Sequence, residues 1–208
     1  MYGRVTWYKG PPEKADEGIQ AFKDLLPKIQ QLPGYSGGVL MVDRDAGEAL
    51  TIVYYRDRSA LDESRAIVKQ MREAIQQQQR EDVTRIEEYE ITTMERAQPG
   101  TTGTWCRVIT GTTQPSKLDQ GVALVNRDAL PILKRQKGWR AFVGGVNRQS
   151  GAAITGTTFD TQEQLEASNA PLTAFRDELQ KILDLKDRKS QVFEIVVADV
   201  AATATLRV

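Results

Sequence analysis

Residues 34–51 read GYSGGVLMVDRDAGEALT, and residues 138–155 read GWRAFVGGVNRQSGAAIT. Laid over each other at a shift of about 104 residues, these stretches are versions of one pattern. Gly34 meets Gly138 and Tyr35 meets Trp139. Arg44 and Gly47 meet Arg148 and Gly151, and Ala49 and Thr51 meet Ala153 and Thr155. The match continues outward, with Leu26-Pro27 on Leu130-Pro131, Leu61 and Ser64 on Leu165 and Ser168, and Glu90-Ile91 on Glu194-Ile195. Nearer the start the shift drops by one, pairing Arg4-Val5 with Arg107-Val108, and Lys14, Asp16 and Gly18 with Lys117, Asp119 and Gly121. The pattern predicts two diverged copies of one domain, residues 1–96 and 104–208, joined by a linker at 97–103. The linker, Ala97 to Gly103, has a flexible composition.

Each copy reads strand, helix, strand, strand, helix, strand. Tyr2 to Lys9 is rich in aromatic and β-branched residues and predicts a strand. Ile19, Phe22, Leu25, Leu26 and Ile29 then recur at helical spacing. Pro27 predicts a kink or division of this helix, and Pro131 repeats it. Gly38 to Val42 and Ala49 to Tyr55 flank a short glycine-containing turn, which predicts a hairpin. Ser59 is the expected N-cap of the next helix, whose buried stripe is Leu61, Val68, Met71 and Ile75. Val83 to Met94 closes the copy. In the second copy, Trp105 to Thr110, Ala141 to Asn147, Ala152 to Phe159 and Val192 to Val197 are the strands. Thr161 to Gln164 reads as a capping box, and Pro171 predicts a bend in the second helix. Ala198 to Val208 is a mildly apolar tail that could add an edge strand. The strands Val39 to Val42, Ile52 to Tyr55 and Val192 to Val197 are nearly continuous in apolar residues, so both sheet faces are expected to be covered. The expected class is α+β: two ferredoxin-like βαββαβ repeats packed sheet to sheet as an intramolecular dimeric α+β barrel.

Composition limits the chemistry. Among 208 residues there is no histidine, which excludes Ser-His-Asp and Cys-His nucleophiles and a histidine-ligated haem. No metal site and no cofactor are expected. Lys plus Arg and Asp plus Glu balance at 28 each, which gives no electrostatic footprint for nucleic acid or anionic membrane. No apolar run reaches membrane-spanning length. The first residues enter a strand pattern directly, so no signal peptide is expected, and the single Cys106 fits a reducing cytoplasm.

The order Leu-Pro, Gly-aromatic, strand, Asp/Asn-Arg-x-x-Gly, strand ending in an aromatic, and a hydroxyl residue ahead of Leu61 or Leu165 resembles the antibiotic-biosynthesis monooxygenase group of the dimeric α+β barrel superfamily. The resemblance covers nearly all of both copies and rests mostly on turn and core positions. It implies ferredoxin-like domains that pair through their sheets. That group includes cofactor-independent oxygenases of phenols and quinols, haem-degrading enzymes and members of unknown chemistry. Its active members place Asn, Trp, Tyr, Arg or His around a cavity between sheet and helices. Asn147 and Trp139 are the Asn-Trp pair this chain offers.

Each candidate ligand-binding residue also has a plainer reading. Arg4 and Arg107 hold equivalent places in the first strands and could bind a phenolate or carboxylate; an ion pair at the sheet edge serves equally. Tyr35 and Trp139 could line a pocket mouth or pack back onto the helix they follow. Tyr54, Tyr55 and Phe159 end the third strands, and neighbouring tyrosines point to opposite faces. Asn147, like Asp43, is a turn former. Cys106 reads as a small buried hydrophobe, Gln76 to Gln79 as a solvated helix end, and Glu87 to Glu90 as strand-edge charge. Gly37-Gly38 and Gly144-Gly145 read as bulges or close backbone approaches.

Three functions follow. The first is a fused pseudo-dimer, able to self-associate further, that binds a small aromatic or apolar molecule between sheet and helices. The second is a cofactor-independent monooxygenase whose enolate or phenolate substrate itself reduces oxygen. The third, a nucleic-acid binder, is disfavoured by the neutral charge. The copies diverge at Tyr54 against Thr158, Ile52 against Gly156 and Met71 against Phe175, which predicts a pocket in one copy or pockets that differ.

Overall fold

The aromatic and β-branched residues of Tyr2–Lys9 form β1. The computed structural model describes residues 1–79, 82–200 and 206–207; the side chains of residues 74–79, 200, 206 and 207 lie outside that description. After β1 come α1 (Ala15–Ile29), β2 (Tyr35–Asp43), β3 (Glu48–Tyr55), α2 (Arg58–Glu63), α3 (Arg65–Gln79) and β4 (Asp82–Arg96). The same order then recurs with β5 (Trp105–Thr112), α4 (Leu118–Leu124), a π-helical turn (Val125–Ala129), α5 (Leu130–Lys134), β6 (Trp139–Asn147), β7 (Ala152–Phe159), α6 (Gln162–Ala167), α7 (Asn169–Leu183) and β8 (Lys186–Val200). A short β9 (Leu206–Arg207) pairs with β4; the rest of the expected tail strand beyond Val200 falls outside the described residues, as do the expected burial of Ile75 and the solvation of Gln76 to Gln79.

The chain divides into two compact units. In the first, β3 lies between β1 and β2, antiparallel to both, with Arg4 opposite Val53 and Val39 opposite Ile52. The free edge of β2 takes the C-terminal part of β8, with Leu40 opposite Val197. In the second unit, β7 lies between β5 and β6, and β6 takes the C-terminal part of β4, with Gly144 opposite Thr93. The units part inside β4, between Glu88 and Tyr89, and inside β8, between Val192 and Phe193. Length explains this. β4 and β8 have 15 residues each, whereas their neighbours have eight or nine. A strand rising about 3.3 Å per residue outruns such a partner by half its length. The 97–103 stretch, flexible by composition, is tied at both ends. Ala97 N donates to Arg140 O at 2.7 Å, and Gly103 N donates to Thr158 Oγ1 at 3.3 Å.

The helices depart from expectation in instructive ways. Pro27 sits inside an unbroken α1. It is three residues from the helix end, where the missing N–H costs one hydrogen bond and little of the helix lies beyond it. In the second unit the corresponding helix is interrupted by the π turn just before Pro131. The change of shift between the two halves, from Gly18/Gly121 to Leu26/Leu130, falls at this turn. An i→i+5 turn accommodates one more residue than a regular α-turn. The second helix of each half breaks at a serine, Ser64 or Ser168. Both serines are buried and both donate to the carbonyl three residues back, on Leu61 and Leu165. The break occurs without proline in the first unit, so Pro171 is not its cause.

The N-cap of α2 is Asp57, not Ser59: Asp57 Oδ1 accepts from Ala60 N at 2.9 Å, while Ser59 Oγ donates to Glu63. A carboxylate there also favours the positive end of the helix dipole. Asp57→Ala is expected to lower the midpoint of chemical denaturation and Ser59→Ala to leave it nearly unchanged. Thr161 does cap α6, accepting from Gln164 N at 3.2 Å. Gln164 does not return the bond, since its buried Oε1 lies against Gly138 without a partner.

Each unit buries one helix-covered cluster. In the first, Ile19, Phe22, Leu40, Val53, Tyr55 and Leu61 meet; in the second, Ala129, Leu133, Trp139, Phe142, Phe159 and Leu165 do. Both faces of β2 and β3 are buried over most of their length, as their apolar runs require. In β8, Phe193 is fully buried but its neighbours from Val192 to Val197 are only half-buried.

Candidate functional site

A cavity of about 140 Å³ opens in the second unit, between the sheet and the helices over it. Its floor includes Gly144 and Gly145 on β6 and Thr155 and Thr157 on β7; its roof includes Val125 of the π turn and Phe175 of α7. The origin of the space is visible in the chain. At the positions of Gly144 and Gly145 the first unit has Leu40 and Met41, both buried, and Leu40 packs into the cluster under α1. Opposite Leu40 lies Val197; opposite Gly144 lies Thr93. Where the first unit places the Leu40 side chain under its helix, the second has only Gly144, and where the first has Val197 the second has the hydroxyl of Thr93; the Gly145 position faces Tyr89 and Ile91 on the other side of the sheet. A second void, about 40 Å³, lies in the first unit at another place, beside Gly10, Pro11 and the β2–β3 turn.

The glycines were expected to mark bulges. β4 does bulge between Ile91 and Thr93, opposite Gly145 and Gly144. However, β8 bulges in the same way opposite Leu40 and Met41, so the bulge does not need glycine. A close approach holds at Gly145, where a Cβ would stand 3.0 Å from Tyr89 Cβ. At Gly144 the nearest atoms would be Phe142 Cε1 at 3.4 Å and Thr93 Cβ at 3.6 Å, which is ordinary contact. Gly144 therefore makes room rather than a turn.

Among the described residues the lining is mostly apolar and contains no carboxylate. Its charged members are Arg176 and Arg188. Arg176 is half-buried and its Nη1 donates to Asn169 Oδ1 at 2.9 Å. Burial, then the like charges of Arg107 and Arg188, pull its guanidinium down to about 10. Thr93 Oγ1 donates to Asn126 Oδ1 at 2.8 Å, which ties the π turn to β4.

None of the eight residues singled out in the sequence lines this cavity. Arg4, 4% exposed, is held by Tyr55 Oη at 3.2 Å, Ser64 Oγ at 2.9 Å, Leu61 O at 2.8 Å and Glu88 at 3.0 Å. Arg107 repeats this arrangement with Leu165 O at 3.2 Å, Ser168 Oγ at 3.5 Å and Glu166 at 3.0 Å. Both arginines thus clamp the serine break of the helix above them. Tyr54 and Tyr55 are buried on β3, and burial raises the Tyr55 phenol. Tyr35 Oη donates to Asp199 at 2.8 Å, and burial followed by that carboxylate raises its phenol as well. Trp139 and Phe159 pack in the core of the second unit. Asn147 Oδ1 accepts from Gln149 N and Ser150 N and shapes the β6–β7 turn. Cys106 is fully buried and its thiol is pushed up to about 12 by burial. The signal that finds the cavity is present in the chain: Leu40 in one half against Gly144 in the other.

Glu88 is more than strand-edge charge. It accepts from Arg4 at 3.0 Å and from Arg65 at 2.5 Å. Burial pulls its carboxyl upward, but the hydrogen bonds from Arg65 and Arg4 prevail and hold it below the usual carboxylate range. A depressed acid stabilises the fold above its unfolded value, about 4.3, and loses that contribution as pH falls through the folded value. The melting-temperature gap between the wild type and Glu88→Gln is therefore expected to be full at pH 7 and to close below about pH 4. Among the described residues no Asp, Glu and Cys group could hold a metal ion, and no helix is long and apolar enough to cross a membrane.

No protein-family model matches the chain. It is similar to two uncharacterized proteins of Mycobacterium tuberculosis. One is 26% identical over 177 residues, covering 85% of this chain and 79% of the relative. The other is 23% identical over 205 residues, covering 95% and 84%. Among solved structures, a candidate monooxygenase of Fusobacterium nucleatum superposes with a TM-score of 0.76 at 12% identity, over 99% of this chain and 97% of that one. An anthrone oxidase-like protein gives 0.71 at 14%, over 99% and 95%. A ferredoxin-fold protein of Listeria monocytogenes related to antibiotic biosynthesis monooxygenases gives 0.56 at 7%, over 94% and 95%. The fold is α+β, of the type seen in these monooxygenase-like proteins.

Proposed function

We propose that the chain is two diverged copies of one βαββαβ domain, fused as a pseudo-dimer, and that the second copy binds one small aromatic or apolar molecule between its sheet and helices. The observation that carries this is Gly144 beneath the cavity, where the first unit has the buried Leu40. Dry apolar cavities of about 150 Å³ take benzene-sized ligands. The recurrence of elements and strand registers supports the duplication. The single buried Cys106 suits a cytoplasmic setting. The test is a thermal-shift series with benzene, indole and alkylbenzenes. A fitting ligand at 100 times its Kd adds about 2.7 kcal/mol, a rise of about 5–10 °C for a chain of this size. No rise with any of them would overturn the proposal.

A second reading, cofactor-independent oxygenation of a phenol, quinol or enolisable compound, is favoured by the likeness of fold to monooxygenase-like proteins. The substrate anion would itself reduce oxygen. The chain would exclude water and steady the anion, with Arg176 in the part first given to Arg4 or Arg107. Oxygen uptake with anthrone or a quinol, abolished by Arg176→Gln, supports this reading; no uptake leaves binding alone.

A further inference from the structure

We infer that the molecule held in the second unit carries one anionic group, which pairs with the two arginines on the cavity wall, Arg176 and Arg188. This deepens the binding proposal and rests on it. In the first unit, Glu88 gathers the arginines under the helix break: Arg4 at 3.0 Å, Arg65 at 2.5 Å and Arg58 at 3.6 Å. The residue at the same place in the second half is Val192, which packs against the apolar cluster. Arg65 is matched by Asn169 and Arg58 by Gln162. Arg107 has kept a carboxylate, Glu166, at 3.0 Å.

That leaves Arg176 and Arg188 on the cavity wall, with no carboxylate partner for either among the described residues. Arg188 is new to this half, since the corresponding residue of the first is Thr84. Arg176 meets only the neutral amide oxygen of Asn169. A half-buried guanidinium without a counter-ion is poorly solvated, and a second cation nearby makes it worse. Two planar guanidinium forks match a carboxylate better than any neutral group. The apolar lining then takes the body of the ligand. The ligand class is a monoanionic amphiphile, with an aromatic or aliphatic body and a carboxylate or similar head.

Calorimetric titration of the full chain tests this with matched pairs: 4-ethylbenzoate against 4-ethylbenzamide, and octanoate against octanamide. Each acid is expected to bind at least about tenfold tighter than its amide. Arg176→Gln and, at an exposed position, Arg188→Gln are each expected to bring the acid to the affinity of the amide and leave the amide unchanged. Circular dichroism checks the folding of the first variant. The stronger of the two acids identifies the body as aromatic or aliphatic. Amides that bind as tightly as the acids, or an acid preference that survives both substitutions, overturn the inference while the apolar cavity stands. Failure of all four compounds overturns both.

Discussion

Arg4→Ala should destabilise the chain by about 3–5 kcal/mol, while Arg107→Ala should cost about 1–3. The two arginines are equivalent in sequence and in posture, so the difference comes from their partners. Glu88 is 18% exposed and would keep only the half-exposed Arg65 and Arg58 as counter-ions, while Ser64 and the Leu61 carbonyl each lose a donor. Glu166 is 50% exposed and returns to water at little cost. Arg4→Lys should recover little, because an ammonium cannot reach four acceptors in the plane that a guanidinium spans. Urea unfolding of the three variants measures this. An Arg4→Ala protein as stable as the wild type but unable to bind any ligand would mean that Arg4 serves a ligand and not the helix break.

Gly144→Leu should remove ligand binding while leaving the chain folded. The substitution restores the residue that fills the same place in the first unit. The backbone of Gly144 lies in the ordinary strand region, and its Cβ would meet only contact distances. Losing glycine from a strand is worth about 0.5–1 kcal/mol, which offsets adjustments of Phe142 and Thr93. The melting temperature should stay level or rise, and the ligand-induced shift should vanish. The reverse change, Leu40→Ala, is expected to cost about 2–5 kcal/mol through the cavity it leaves. Retained affinity in Gly144→Leu would place the ligand elsewhere.

Much of the fold was legible in the chain. Strand β1 was read at its observed ends, because aromatic and β-branched residues run up to a Gly-Pro-Pro break. The hairpins were legible from turn chemistry: Gly47 and Gly151 take positive φ, and a side chain there would collide with Gly10 O or Thr113 O. The caps were harder. Asp57 and Ser59 both lie at a helix start, and only the backbone decides which side chain meets the free N–H groups. The division of β4 and β8 between two units could not be read, because period-two alternation says nothing about which partner each half finds. For the site, the divergence of Tyr54, Ile52 and Met71 from Thr158, Gly156 and Phe175, on β3 and α3 against β7 and α7, predicts a difference between the halves. The cavity lies over β6, where Gly144 carries no side chain, and a glycine in a strand reads equally as a bulge or as space. Arg4 and Arg107 drew attention because they repeat. Each bonds the carbonyl at the helix break above it, whereas Arg188 has no arginine counterpart in the first half and so carries no repeat signal.

The most direct test is a crystal structure of the full chain grown with 4-ethylbenzoate. The account predicts difference density for one molecule between Gly144, Val125 and Phe175, its carboxylate turned to Arg176 and Arg188, and none beside Leu40 and Met71. Density packed against Leu40 in the first unit, or an unoccupied second-unit cavity at saturating ligand, would contradict it.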